Sequence, residues 1–120
     1  MHDNEFGIYL KTLRESKGIT QEQLGDAVGK KKMTISLIEN GKNAPPQDEF
    51  LNKLINVLAL THEEEIRLRD LAALARGRIP SDIVEYFIQN EHIRKTIRLA
   101  MEQGKKDEVW QKIQEVIRND

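Results

Sequence analysis

The residues with the clearest binding chemistry are three consecutive lysines, Lys30–Lys32, followed ten positions later by Lys42. Clustered ammonium groups attract phosphate. The chain as a whole has a net charge of −1, from 19 basic and 20 acidic residues, and its two halves are balanced in the same way. Global charge therefore does not indicate a nucleic-acid-binding protein, and any contact with phosphate must come from this local cluster.

Residues that commonly catalyse reactions or bind metals are missing or unsuitably spaced. The chain has no cysteine, which excludes disulfides and thiol chemistry. The histidines, His2, His62 and His92, show no ligand spacing, and Glu63–Glu65 is more typical of a helix start than of a metal site. The GxSxG and HExxH motifs are also absent. The sequence therefore predicts neither an enzyme nor a metal or cofactor site.

No apolar stretch approaches the roughly 18 residues that suggest a membrane span. The N-terminus also lacks the apolar core of a signal peptide. We therefore expect a cytoplasmic protein without a membrane contact.

Apolar residues follow helical periodicity along the whole chain, which predicts an all-α fold. The spacing of Phe6, Tyr9, Leu10 and Leu13 indicates a first helix over about residues 4–17. The residues predicted to face inward in the next four helices are Leu24, Ala27 and Val28; Ile35 and Ile38; Phe50, Leu51, Leu54, Ile55 and Leu58; and Ile66, Leu71, Leu74 and Ala75. Thr61 and Glu64 form a capping box that begins the fifth helix.

The segment GRIPS, residues 77–81, is the best candidate for a domain boundary. It separates five helices in residues 1–76 from a C-terminal segment, residues 82–120, in which three more helices are predicted. A segment of about 40 residues is marginal as an independent fold. We expect it to pack on the first part of the chain or on a second copy of itself.

Residues 20–40 have the pattern of a helix-turn-helix. Thr20 and Gln23 form a capping box that begins one helix, and Gly29 marks the turn. Gly25 supplies the small residue that two steeply crossing helices require at their contact. The second helix of such a unit enters the DNA major groove.

The stretches LRESKGITQEQLGDAVG and TISLIENGKNAPP resemble the phage-repressor-like helix-turn-helix regulators, typified by the lambda and Cro repressors and the xenobiotic-response-element type. The resemblance covers about residues 5–70. It implies a lambda-repressor-like five-helix domain that binds double-stranded DNA, with a partly buried ion pair between Arg14 and Glu39 as scaffold. The DNA-binding positions that it implies are Thr20, Gln21, Lys30, Lys31, Lys32, Met33, Thr34, Leu37, Asn40 and Lys42.

The lysines depart from the family pattern. Residue 31 is usually Ser or Thr, and residue 30 is often apolar. Lysines near a helix N-terminus oppose the helix dipole at about 0.3–1 kcal/mol each. Met33 and Leu37 cannot form hydrogen bonds to bases, although they can touch a thymine methyl group. We therefore expect more contact with the DNA backbone and less readout by hydrogen bonds.

The C-terminal segment is the candidate for dimerisation. Regulators of this type usually place two recognition helices in successive major grooves about 34 Å apart. The predicted interface residues are Phe87, Trp110, Ile113 and Ile117, and the alternative is that they pack back onto the fifth helix. Some short regulators of similar arrangement are controlled by a partner metalloprotease that cuts this part.

The resulting hypothesis is a sequence-specific transcriptional regulator that binds a palindromic operator as a homodimer. A chain of 120 residues leaves little room for a ligand-sensing domain, so a repressor that blocks a promoter is the simplest form. Two alternatives stay open: an antitoxin that neutralises a toxin through its C-terminal segment, and a coactivator-like adaptor without specific DNA binding.

Overall fold

The computed structural model describes residues 4–120. All regular secondary structure in these residues is helical, which confirms the predicted all-α class. The described residues form two compact units that divide between Asp82 and Ile83. The helices are α1 (Glu5–Ser16), α2 (Gln21–Val28), α3 (Lys32–Glu39), α4 (Asp48–Val57), α5 (His62–Ala75), α6 (Ser81–Gln89), α7 (Glu91–Glu102) and α8 (Asp107–Asn119).

The first unit holds a single apolar core made by α1 to α5. In this unit α2 packs on α3 and α4, and α1 packs on α3 and α5. The predicted capping boxes are present at the starts of α2 and α5, where the side chains of Thr20 and Thr61 each accept a backbone N–H three residues on. The core residues are Phe6, Leu10, Leu13, Leu24, Val28, Ile35, Ile38, Leu51, Leu54, Ile55, Leu58, Leu68 and Ala72.

The crossing of α2 and α3 depends on Gly25. A Cβ atom at this position would lie 2.7 Å from the carbonyl oxygen of Lys30, a backbone atom that cannot easily move aside. Gly29 ends α2 in the left-handed region, with φ at 73°, where a glycine pays no Cβ penalty. These two glycines allow the short turn between α2 and α3.

Several residues predicted to face inward are exposed instead. Ala27 and Ala75 lie at the surface, and Ile66 and Leu74 are 40% and 49% exposed. Only part of the apolar stripe of α5 is covered, and the buried residues of this helix are Leu68 and Ala72. Periodicity identified the helices but overestimated the width of the faces that pack.

The three lysines do not all belong to the third helix. Lys32 is its first residue, whereas Lys31 is the N-cap residue in extended conformation and forms no side-chain cap hydrogen bond. Lys30 precedes it. Lys31 thus occupies the cap position where the family usually has Ser or Thr, and the first turn of α3 has no side-chain cap because lysine lacks a hydroxyl acceptor.

The second unit, residues 83–120, has almost no core of its own. Its only buried residue is Ala100, at 8% exposure. The apolar residues of α6, α7 and α8 are half-buried or exposed, and the most exposed large ones are Ile83, Tyr86, Ile88, Leu99, Met101, Val116 and Ile117. Within residues 4–120, no helix is long and apolar enough to cross a membrane.

Candidate nucleic-acid interface

An ion pair at the centre of the first unit holds α1, α2 and α3 together. Arg14 donates from Nε and Nη2 to the two carboxylate oxygens of Glu39, at 2.7 and 3.0 Å. The two side chains are 9% and 1% exposed. The hydrogen bonds that Arg14 donates to Glu39 raise the pKa of the Arg14 guanidinium. The structure thus contains the buried pair that the family resemblance implies.

Gln21 joins the same cluster. Its Nε2 donates to Oε1 of Glu39 at 3.0 Å, while Nη1 of Arg14 donates to the carbonyl oxygen of Ile19 at 2.8 Å. The first residue of α2 is therefore tied to the last residue of α3. The resemblance implies a DNA contact for Gln21, and the structure shows that its side chain is already engaged within the protein, which leaves its backbone N–H for that contact.

An open groove of about 530 Å³ lies between the N-termini of α2 and α3. Thr20 supplies acceptors to two of the first four N–H groups of α2, those of Gln23 and Leu24. The N–H groups of Gln21 and Glu22 have no acceptor within the helix, because a helix start leaves its first donors unpaired. The residues that line the groove are Arg14, Glu15, Gly18, Ile19, Thr20, Gln21, Glu22 and Lys32.

The outward face of α3 is cationic at its start and apolar along its length. Its buried residues, Ile35, Ile38 and Glu39, lie three and four positions apart and face the core. Lys31 and Lys32 are exposed. Met33 is 65% exposed. Thr34 and Leu37 are half-buried. The structure therefore places five of the predicted DNA-binding residues on or beside one helix surface.

Lys30 is turned towards a different neighbour. Its Nζ lies 4.9 Å from the centre of the Phe50 ring, a cation–π distance. Lys30 thus has a partner on α4, and it stands apart from Lys31 and Lys32. Sequence spacing did not reveal this contact, because Phe50 is 20 positions away in the chain.

The end of α3 is closed by a tight backbone cap. Gly41, with φ at 77°, donates its N–H to Ile38 O at 3.1 Å, and Lys42 donates to Leu37 O at 2.9 Å. This is a Schellman motif. It leaves the side chains of Asn40 and Lys42 exposed at the exit of the helix. Two predicted phosphate contacts therefore lie together at the opposite end of α3 from Lys32.

Two arginines that follow α5 donate hydrogen bonds to the loop between α3 and α4. Arg76 donates from Nη2 to Pro45 O at 2.7 Å, and Arg78 donates from Nη1 to Oε1 of Gln47 at 3.1 Å. Pro45 and Pro46 lack an N–H group, so the loop has fewer donors of its own for its carbonyl groups, and Arg76 supplies one from outside the loop. Sequence reasoning missed these contacts, and Arg78 lies inside the segment predicted to be a linker.

Asn4, just before α1, and Gly7, within α1, also contact the end of α3, and sequence reasoning missed both contacts. Asn4 donates from Nδ2 to Glu39 O at 2.7 Å. Gly7 is buried, and a Cβ atom there would overlap the carbonyl oxygens of Ile38 and Glu39. A glycine within an otherwise regular helix was the available signal, since such a glycine often marks a close approach of another chain segment.

The four residues predicted at a dimer interface lie in the second unit. Phe87, Trp110 and Ile113 are half-buried, whereas Ile117 is 69% exposed. Of the four, Ile117 is therefore the most accessible to a second copy of the chain, because Phe87, Trp110 and Ile113 are partly covered by their own chain.

No group of three or more His, Asp or Glu side chains that could hold a metal occurs in residues 4–120. His2 lies outside the described residues. His62 begins α5 and His92 is near the start of α7, both at the surface.

Comparison with known proteins identifies the family. A family model described as a helix-turn-helix domain matches residues 5–68, more than half of the chain, so the chain belongs to the helix-turn-helix domain family. The match spans α1 to α4 and half of α5. It therefore includes the Arg14–Glu39 pair, the α2–α3 turn and the exposed face of α3.

A relative in Bacillus subtilis (strain 168), described as the uncharacterized HTH-type transcriptional regulator RghRB, is 40% identical over 58 residues. That alignment covers 48% of this chain and 42% of the relative, so this chain matches less than half of the relative's length. No solved structure gives a significant match.

Proposed function

We propose that this protein is a transcriptional regulator of the phage-repressor-like subtype, which binds double-stranded DNA through α2 and α3. The observation that carries the proposal is the exposed face of α3, with Lys31, Lys32 and Met33 beside a groove at the N-terminus of α2. A cationic helix of this kind fits the major groove. The relative described as a transcriptional regulator is in agreement with this proposal.

In this proposal, phosphate contacts flank α3 at both ends. At one end, the free N–H groups of Gln21 and Glu22 and the ammonium of Lys32 surround the groove, and helix N-termini bind phosphate oxygens well. At the other end, Asn40 and Lys42 reach the backbone. Met33, exposed between them, contacts base edges or thymine methyl groups. Binding therefore depends strongly on the DNA backbone.

Salt dependence of binding tests this assignment, because each phosphate contact releases counterions. Replacing Lys32 by alanine lowers the slope of log K against log salt by about one unit if the lysine meets a phosphate. Lys95→Ala is a matched control, since Lys95 is an exposed lysine of α7 paired with Glu91. A wild-type affinity that does not change with salt would contradict DNA binding. An unchanged slope in Lys32→Ala would show that Lys32 does not contact a phosphate.

The second unit is proposed to join two copies of the chain into a homodimer. Its 38 residues bury only Ala100, and a segment of this size rarely folds without a partner. In α8, Val116 and Ile117 are 67% and 69% exposed, and in α7 Leu99 and Met101 are 53% and 73% exposed. A second copy presents the same apolar residues and thereby covers them.

Sedimentation of two charge variants tests the dimer. Ile117→Lys places a charge on the apolar surface and is expected to give monomers. Gln111→Lys adds the same charge at an exposed polar position of α8 and is expected to leave the dimer intact. A wild-type monomer would refute self-association, and the exposed residues would then favour a different protein partner, such as a toxin or a protease.

Repression follows from this arrangement. A dimer that fills two successive major grooves prevents RNA polymerase from using an overlapping promoter. Transcription in vitro from such a promoter is expected to fall when the protein is added. A rise in transcription would instead indicate an activator.

A further inference from the structure

The last four carbonyl groups of α3 all have hydrogen-bond donors, although a helix end leaves such groups without partners in the helix. Three of these carbonyls accept from backbone N–H groups that follow the helix: Ser36 O from Asn40 at 2.9 Å, Ile38 O from Gly41 at 3.1 Å, and Leu37 O from Lys42 at 2.9 Å and from Asn43 at 3.1 Å. The fourth carbonyl, of Glu39, accepts from Nδ2 of Asn4, which is 35 positions away in the chain.

The side chain of Asn4 does not cap α1, the helix that follows it. It occupies the N-cap position of α1, where asparagine commonly accepts a hydrogen bond from the first turn. Its backbone has φ at −34° and ψ at 40°, and its side chain forms no cap hydrogen bond to α1. The side chain is directed instead to the C-terminus of α3.

Two glycines make room for this contact. A Cβ atom at Gly41 would lie 2.7 Å from Cγ of Asn4. At Gly7 a Cβ atom would overlap Oδ1 of Asn4 and the carbonyl oxygens of α3. Asn4 is therefore held between α1 and the turn at Gly41, immediately before the exposed Lys42.

We propose that Asn4 is the C-terminal cap of α3 and a positioning residue for the phosphate contacts of Asn40 and Lys42. This inference rests on the proposed function. The amide of Asn4 satisfies the one carbonyl that the Schellman motif leaves open. It thereby joins the start of α1 to the end of α3, where Asn40 and Lys42 are proposed to contact phosphate. Asn4 itself does not touch DNA.

The substitution Asn4→Asp separates this role from ordinary capping of α1. An aspartate has the shape of asparagine and favours the N-terminus of α1 through its charge. It cannot donate a hydrogen bond to Glu39 O, and its charge repels that carbonyl. If Asn4 acts only on α1, this variant is as stable as the wild type or more so, with unchanged DNA binding. If it caps α3, the exit of α3 loosens.

Hydrogen exchange of the full chain measures the cap without DNA. In Asn4→Asp, exchange of the Lys42 and Asn43 amides, which both donate to Leu37 O, is expected to be about tenfold faster, the equivalent of one lost hydrogen bond. The Leu24 amide, within α2, serves as an internal reference. Asn4→Ala removes the donor without adding charge and is expected to show the same pattern. Unchanged exchange in both variants would overturn the cap.

DNA binding measures the consequence. Both variants are expected to bind a wild-type target roughly fivefold more weakly at a temperature well below their unfolding midpoint. Faster exchange with unchanged affinity would overturn the positioning role. If wild-type protein binds no DNA, the proposed function fails together with the positioning of phosphate contacts, and the exchange result still decides whether Asn4 caps α3.

Discussion

Replacement of Arg14 by methionine tests the structural centre of the DNA-binding unit. The substitution removes the hydrogen bonds at 2.7 and 3.0 Å to Glu39 and leaves a carboxylate whose side chain is 1% exposed. Gln21 then remains as its side-chain donor. Loss of one partner from a buried ion pair costs about 3–5 kcal/mol.

This cost is a large part of the stability of a small domain, which is about 5–15 kcal/mol in total. For a unit of this size, it corresponds to a fall in the unfolding midpoint of roughly 15–30 °C. The double variant Arg14→Met/Glu39→Met is expected to recover most of the loss, because two apolar side chains leave no unpaired buried charge. DNA binding by the double variant also shows whether the ion pair is required for binding as well as for the stability of the fold.

Urea unfolding followed by circular dichroism is the suitable assay, because the only tryptophan, Trp110, lies in the second unit. Lys17→Met is the matched control. Lys17 pairs with Glu64 at 3.3 Å, with both side chains 28% exposed, and loss of such a pair costs about 1 kcal/mol or less. The reasoning is refuted if Arg14→Met costs no more than Lys17→Met, or if the double variant is as unstable as the single one.

Three further substitutions test other parts of the first unit by the same unfolding assay. Burial, and then the charge of Asp82, raises the pKa of Asp70. The ionised carboxylate is therefore less favourable in the folded state than in the unfolded chain, so Asp70→Asn is expected to stabilise the protein at pH 7. This gain vanishes as the pH falls to the pKa of an aspartate in the unfolded chain, about 3.9. An equal gain at pH 7 and at this lower pH contradicts the reasoning. Ala59→Gly relieves a left-handed residue with φ at 49° and is expected to add roughly 0.5–1 kcal/mol; a loss of stability would be inconsistent with strain. Gly25→Ala is expected to cost about 1–3 kcal/mol, because its Cβ meets Lys30 O; a stabilised variant would show that α2 and α3 can separate slightly.

The features predicted correctly from sequence are those with local causes. Both capping boxes lie within four residues of chain, at Thr20 and Thr61. Gly29 stops α2 at the residue where the left-handed conformation is needed. The all-α class also followed from spacing alone. Each of these signals is complete before any tertiary contact forms.

The features missed from sequence depend on contacts between distant residues. The lysine run predicts that Lys30 acts together with Lys31 and Lys32, although its ammonium lies over the Phe50 ring. Asn4 contacts Glu39 across 35 positions, and periodicity carries no information on such pairs. Helical spacing predicts that Leu74 faces inward, but it is 49% exposed. A helical stripe shows which residues lie on one side, and only the packing partner determines how many become covered.

Selection of bound duplexes from a random DNA library tests the proposed DNA contacts most directly. At about 0.15 M salt, near physiological ionic strength, we expect enrichment of a palindrome whose half-sites are separated by about one helical turn, as two α3 helices in successive major grooves require. Absence of any enriched sequence would contradict the central claim that α2 and α3 form a sequence-specific DNA-binding surface.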